Sequence, residues 1–354
     1  MKYDQLIIYY FSGTGNAHNA AKWIAGIAEQ QEIETHVINI DRFDKIELPK
    51  LKGNTLIGFC SPTHGFNMPP ILLRFLFRFP RVKNARAFIL NTRGGLKLHK
   101  LFFPGLSGIA QIFPALILRF KGIKIVGMQP LDLPSNWLIL HPGIRHKVVE
   151  SIHERCKRIT ENFGRNILSG KRKYKALLSL PIDIAMIPIS LGYYFFGRFI
   201  FAKTLIASPD CNNCELCVKH CPVNAIKTVQ NRPFWTYKCE SCMRCANICP
   251  HRAIETSHGF VAIVVTLSSL LISPFLLQCL MKIELYEFFR QSFLTGNIWM
   301  LIESAIFIFL IILCYRIMHF MMQFAIVRKF FTFTSLSKLA LWRRYKSPKE
   351  ILKG

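Results

Sequence analysis

Eight cysteines fall into two identical runs. Cys211, Cys214, Cys217 and Cys221 are followed by Pro222, and Cys239, Cys242, Cys245 and Cys249 by Pro250, so the pattern C-x2-C-x2-C-x3-C-P occurs twice. Three thiolates at steps of three wrap a short loop around one face of an iron-sulfur cubane, and the fourth cysteine of each run ligates the other cluster. The spacing predicts two [4Fe-4S] clusters held crosswise, one by Cys211, Cys214, Cys217 and Cys249, the other by Cys239, Cys242, Cys245 and Cys221. Zinc is the plainer alternative, but a structural zinc site pairs two C-x2-C knuckles and has no use for a third cysteine or the trailing proline. The other four cysteines, Cys60, Cys156, Cys279 and Cys314, have no such spacing. They read as small hydrophobes.

A second segment is built to hold an anion. Ser12-Gly13-Thr14-Gly15-Asn16 follows an apolar run and opens a helical pattern. Backbone N–H groups and two hydroxyls can wrap an anion there, where the helix dipole favours negative charge. It is not a dinucleotide fingerprint, since His18 takes the third glycine's place, and it lacks the Gly-Lys-Ser/Thr of a Walker A loop. Two further loops carry polar and glycine residues: Ser61-Pro62-Thr63-His64-Gly65-Phe66, and Asn91-Thr92-Arg93-Gly94-Gly95.

The elements that must position these loops alternate in the rhythm of strand-helix-strand units. Strands are predicted at Leu6–Tyr10, Glu34–Ile40, Thr55–Cys60, Arg86–Asn91 and Ile123–Met128, and helices at Ala17–Gln30, Pro70–Phe79, Leu98–Phe120 and Gly143–Leu168. Pro104, Gly105 and Pro114 break the third helix. The expected fold is α/β, a doubly wound parallel sheet of order 2-1-3-4-5. The carboxyl ends of strands 1, 3 and 4 then meet at the switch point, where flavin mononucleotide (FMN) would sit.

Composition sets the outer bounds. The 354 residues suffice for two or three domains at roughly 100 to 200 residues each. Lys and Arg number 46 against 20 Asp and Glu, a net +26, and 51% of residues are apolar with 30 Phe. Mean hydropathy is +0.27. Such a chain is too apolar for disorder. No signal-peptide pattern opens it, so a reducing compartment and metal-bound cysteines are expected in place of disulfides.

After the cysteines, Phe260–Met281 has no charged residue and Ile298–Tyr315 has only Glu303. Each is long enough, or nearly so, for a hydrocarbon core of about 30 Å, and together they read as a transmembrane hairpin. The loop Lys282–Asn297 balances its charges, whereas nine Lys or Arg face Glu350 alone from Arg316 onward. Positive-inside bias then puts both soluble units on the cytoplasmic side of a multi-pass membrane protein. The basic charge is assigned to membrane lipid, and nucleic acid is not expected as a partner. The predicted organisation is residues 1–170 (FMN-binding), 171–206 (a basic and apolar linker, interfacial or packed on the domain), 207–256 (clusters), 260–318 (two spans) and 319–354 (a basic cytoplasmic tail).

Thr14-Gly15-Asn16, Pro62-Thr63-His64-Gly65, Pro134-Ser135-Asn136-Trp137 and the eight cysteines together resemble the bacterial flavodoxin-ferredoxin fusion proteins over about residues 3–256. The resemblance implies an FMN domain, a small α+β two-cluster domain, and electron transfer between protein redox donors and acceptors. Its phosphate loop corresponds to Ser12–Asn16, and its ring-flanking segments to Ser61–Phe66 and Asn91–Gly95. Ala17 departs from it, because many flavodoxins have Thr there. Single roles stay open: Phe66 lies on the flavin or packs in the core, His64 bonds the flavin or caps its loop, and Arg93 faces reduced flavin or solvent. Asp132–Trp137 is a candidate further wall. Glu303 either handles protons or snorkels to the interface. A membrane-anchored carrier leads over a flavin-dependent reductase and a redox sensor, since no acid-base pair is legible. No nicotinamide fingerprint is present.

Overall fold

The computed structural model describes residues 3–82, 85–272, 274–275, 278–279 and 293–342. The first half is a parallel sheet flanked by helices. Its elements are β1 (Gln5–Tyr10), α1 (Asn16–Glu29), β2 (Glu34–Asn39), β3 (Thr55–Pro62), α2 (Pro70–Arg78), β4 (Arg86–Leu98), β5 (Leu101–Phe103), α3 (Ile112–Phe120), β6 (Lys124–Pro134) and α4 (His146–Leu168). The order across the sheet is β2-β1-β3-β4-β6, with the two residues of β7 (Lys173–Tyr174) at the edge. These pairs are all parallel. Leu6, Ile8 and Tyr10 of β1 enter the core under α1 and α4, with Ile24, Phe88 and Phe163. Ile7 and Tyr9 enter the opposite core, with Phe59, Leu72 and Leu76 under α2 and α3. A strand with a core on each face must be apolar at every position, which is why these runs read as unbroken rather than alternating.

One predicted element differs. The expected helix Leu98–Phe120 is α-helical only from Ile112, after a 3-10 turn at Gly108–Ala110. Before it, β4 runs on through Gly94 and Gly95 to Leu98 and turns back as antiparallel β5. Pro104 and Gly105 disfavour helix immediately after that hairpin. The loop expected at Asn91–Gly95 is therefore extended strand, paired with Pro130–Pro134 of β6.

Residues 175–202 form a bent helical segment: a turn at Lys175–Ser179, α5 (Leu180–Ala185), α6 (Ile187–Gly192), a π-helical turn at Tyr193–Gly197, and α7 (Arg198–Ala202). Its two arms meet at 76°. Pro181 and Pro188 each sit at the start of a short helix, where the missing N–H costs little.

The cysteine segment is an internal repeat. β8 (Leu205–Ala207) pairs antiparallel with β11 (Ile254–Thr256), and β9 (Ile226–Val229) with β10 (Arg232–Trp235). Between them stand α8 (Leu216–Lys219) and α9 (Arg244–Ile248). Left-handed backbone occurs at Asn213, Glu215 and Asn224, and again at Ser241, Met243 and Arg252. Each pair is 28 residues apart, as are Cys211 and Cys239.

Among the described residues that follow are α10 (His258–Leu267, continued by a π-helical turn to Ile272), α11 (Phe293–Met321) and α12 (Ala325–Phe333). Met300–Met321 is long and apolar enough to cross a membrane, and among the described residues it is the one continuous helix that is. The end of the first predicted span and most of the connecting loop lie outside the described residues. The last third of α11 docks on the cysteine unit, where the Tyr315 hydroxyl donates to the Leu205 carbonyl at 3.1 Å and His319 Nε2 lies 3.2 Å from that of Val229. Over its described residues, 319–342, the segment read from sequence as a basic tail is folded. Ser335 and Ser337 bond Thr256 and Glu255, and Trp342 Nε1 donates to the Leu138 carbonyl at 2.9 Å.

Candidate functional site

The loop between β1 and α1 turns at Gly15, which has φ +98°. Its amide donates to Ser12 Oγ at 2.9 Å, closing the loop on itself. No acidic residue lies in the first turn of α1, so the positive end of that helix is unopposed. Beside it opens a cavity of about 270 Å³. Of the residues picked from sequence, Ser12, Gly13, Thr14, Asn16, Pro62, Thr63, His64, Gly65, Phe66, Thr92, Arg93 and Gly94 line it, and Gly15, Ser61, Asn91 and Gly95 stand behind its wall. Asn91, fully buried, donates to Thr63 Oγ1 at 2.5 Å and to Ser107 Oγ at 3.2 Å, so it positions the wall. Arg93 Nε donates to Asp132 Oδ1 at 2.6 Å, and NH1 to Ser107 Oγ at 3.1 Å. Its charge is largely met inside the protein.

Two polar atoms in this cavity suit a ligand. His64 Nδ1 and Trp137 Nε1 are buried and have no partner among the described residues. Leaving such groups unmet costs about 1–3 kcal/mol each. Burial holds the His64 imidazole down at about 4, so it is neutral at pH 7. An anion cradle, a neutral imidazole and an indole N–H fit a phosphate joined to a flat heteroaromatic ring. The residues present fit FMN.

Pro134–Trp137, within the candidate wall Asp132–Trp137, line the cavity together with His141, Leu96 and Leu106. The wall that no sequence pattern marked is Ser241, Cys242 and Met243 of the second cysteine run. The approach is so close that a Cβ on Gly13 would stand 2.1 Å from the Cys242 carbonyl oxygen. Arg244, two residues on, donates to the Ser12 carbonyl at 2.6 Å and forks onto both oxygens of Asp41 at the end of β2. Glu240, with a side chain only 2% exposed, accepts the Ile71 amide at 3.0 Å and pairs with Arg74 at 2.8 Å. Burial raises its carboxyl, while Arg74 and the amide at the start of α2 pull it back. Tyr193 completes the junction: a Cβ on Gly65 would meet its ring at 2.0 Å, and the ring stands T-shaped to Trp137 at 5.7 Å. Long-range contacts between residues about 170 to 230 positions apart leave no local pattern, so no sequence signal marked them.

The cysteines divide into two groups. Cys211, Cys214, Cys217 and Cys249 line one small pocket. Cys221, Cys239 and Cys245 are buried in the core of the unit beside Trp235, and Cys242 faces the cavity. Burial pushes the Cys217 and Cys242 thiols up to about 12, so holding thiolates here calls for strong positive charge at the sulfurs. Among the described residues no three His, Cys, Asp or Glu side chains close on a point as a single ion requires. Equivalent amides donate to the fourth sulfur of each run, Ala225 to Cys221 Sγ at 3.2 Å and Ala253 to Cys249 Sγ at 3.3 Å.

The 4Fe-4S binding domain family matches residues 209–227 and 233–255. The two matched stretches span the two cysteine runs. No curated protein matches the chain. Solved structures similar to it include a flavodoxin from the domain Archaea, at 18% identity over 46% of this chain and 96% of that one, with a TM-score of 0.31. The two-electron reduced flavodoxin of Megasphaera elsdenii is 14% identical over 46% and 99%, with a TM-score of 0.30. The NAD(P)H:quinone oxidoreductase of Methanothermobacter marburgensis is 14% identical over 47% and 99%, with a TM-score of 0.32. The flavodoxin-like assignment of residues 3–174 rests on the strand order and on the crevice at its switch point.

Proposed function

We propose that the protein is a membrane-anchored electron carrier, with FMN in the cavity and two [4Fe-4S] clusters, an inner one on Cys239, Cys242, Cys245 and Cys221 and an outer one on Cys211, Cys214, Cys217 and Cys249. The observation that carries this reading is the wall shared by the two units. Cys242 belongs at once to a cluster-binding run and to the cavity that holds the anion loop. When bound, FMN exchanges one or two electrons and each cluster one, so the pair can gather or split electrons.

The chain's own part is placement. Ser12, Thr14 and the N-terminus of α1 receive the phosphate, and His64 and Trp137 offer the polar atoms for the ring. Gly13 lets the Cys242 backbone come to contact, while Arg244–Asp41 and Glu240–Arg74 clamp the two units so that the separation is fixed. Tyr193, Trp137 and Phe201 fill the junction and keep water out of it.

The membrane part of the reading rests on α10 and α11, which leave the cluster unit side by side with Phe260, Val264, Ile311 and Tyr315 packed between them. Both soluble units then lie on the basic, cytoplasmic side. Glu303 lies in the exposed part of α11, at a position suited to the bilayer interface.

An anaerobic reductive titration of the detergent-solubilised protein tests the core. About eight irons and one FMN per chain are expected, with flavin absorbance falling as the EPR signal of the reduced clusters grows. Zinc in place of iron, or clusters that fill without any flavin uptake, would overturn it.

A further inference from the structure

The bent segment 175–202 is inside out for a protein surrounded by water. Its buried positions are Ala176, Asp183, Ser190, Tyr193 and Ala202, at intervals of seven, seven, three and nine residues. Asp183 is 2% exposed, with one carboxylate oxygen bonded to Ser179 Oγ at 2.8 Å and the other without a partner among the described residues. Ser190 Oγ is likewise buried and unmet. The outward face is apolar: Leu178 is 83% exposed and Phe195 57%, with Ile182, Ile184 and Ile189 between them. A surface helix in water does the reverse, hiding Leu and Ile and exposing Asp and Ser. An apolar face of this size demands a cover.

We propose that this segment lies in a lipid bilayer as a bent, non-spanning insertion, making the protein's second membrane contact. Three observations choose lipid as the cover. Lys171, Arg172 and Lys173 just before it and Lys175 at its first position stand exposed, as anionic headgroups would require. Its last helix, α7, packs against α11, the helix long enough to span. The two arms, bent by 76°, give a re-entrant shape whose polar face turns inward onto protein, where irregular backbone is tolerated at membrane depth. The consequence reaches the cavity. α5 and α6 pack on the turn at Gly108–Ala110, and the Ile109 amide in that turn donates to the Phe66 carbonyl at 2.9 Å. The insertion therefore holds one lip of the cavity against the membrane surface, and Leu106 of that lip is exposed beside it.

The inference rests on the membrane association proposed above, and the test separates the two. The full chain, reconstituted in nanodiscs of phosphatidylcholine and phosphatidylglycerol, carries p-benzoylphenylalanine in place of Leu178, Phe195, Phe309 of α11 or Lys157 of α4, one at a time. After illumination, phospholipid mass is expected on the chain at 178, 195 and 309 and not at 157. Adducts at 309 without any at 178 and 195 would overturn the insertion and leave the anchoring intact. Cross-linking of 178 or 195 to a second copy of the chain would overturn it in favour of a dimer face. No adduct at 309 would end the anchoring, and the insertion with it.

Discussion

The two cysteine runs share a spacing and a backbone, yet they live in different surroundings. In the first, Cys214 is exposed and Cys211 and Cys217 are half-buried. In the second, Cys239 and Cys245 are buried, and the loop carrying Cys242 is pressed between the anion loop and Tyr193. Repetition within the chain produced two equal cluster motifs, and docking against the flavodoxin-like unit made them unequal. On the proposed reading, the inner site faces the flavin and the outer one faces a partner. A cluster's potential follows burial, nearby charge and hydrogen bonds to sulfur, so the two sites should differ in potential as well as in position.

The sharpest way to break this comparison is to remove one ligand from each site. Cys242→Ser should cost about half of the iron, about four of eight, and also disturb the cavity wall, so that flavin and the remaining cluster no longer exchange electrons on mixing. Cys214→Ser should cost a similar share of iron and leave exchange between the flavin and the inner cluster. Iron assay with stopped-flow absorbance separates the two, and equal behaviour of the two variants would refute the inner and outer assignment.

Arg244→Ala should come next in size. The arginine side chain is 11% exposed and its Asp41 partner 19%, so truncation strands a largely buried carboxylate, at about 3 kcal/mol. A lowered midpoint of thermal unfolding and weaker FMN binding are expected together, because the same guanidinium holds the Ser12 carbonyl.

The third effect is acid sensitivity on the inner side. His64 is held at about 4 in the fold against an ordinary 6.5. Between these values the unfolded chain binds more protons than the folded one, so stability falls as pH drops from 6.5 toward 4 and is unaffected by this group above 6.5. The slope is at most about 1.4 kcal/mol per pH unit. Urea midpoints of the flavin-free protein at pH 7 and pH 5 should show the loss, and His64→Gln should flatten it.

The smallest effect belongs to the outer side. Lys338 pairs with Asp210, next to Cys211, but both side chains are nearly half exposed. Lys338→Ala should change stability by no more than about 1 kcal/mol, and less at high salt, as read by the same urea midpoints.

Much of the site was legible in the residues. Cluster ligands within a run are at most ten residues apart, and a thiolate loop depends on local spacing, so the runs were plain. The anion loop was equally local: Gly13, Thr14 and Gly15 must sit between a strand and a helix to work. Predicted strand starts fall within one residue of those observed, and β1, β3, β4 and β6 carry buried apolar runs whereas β2 carries Glu34, His36 and Asn39. The ends were less legible, since β4 runs on to Leu98, paired with β6 as far as Gly95 and with β5 from Leu96, and β6 runs beside it to Pro134. The helix expected across residues 98–120 failed for the same reason, its first part being claimed by a strand that only a neighbouring strand could stabilise.

By itself the sequence determined the kinds of chemistry present: iron-sulfur ligation from cysteine spacing, an anion cradle from a glycine loop, and an apolar helix from composition. Each is set by residues within one or two turns of chain, and local sterics and thiolate chemistry act over that range. Which cluster motif meets the cavity, and which face of residues 175–202 is turned outward, were decided only in the tertiary structure. Those outcomes depend on contacts such as Gly13 with Cys242 and Arg244 with Asp41, more than 200 residues apart, whose energy exists only once both units are folded and water has left the space between them.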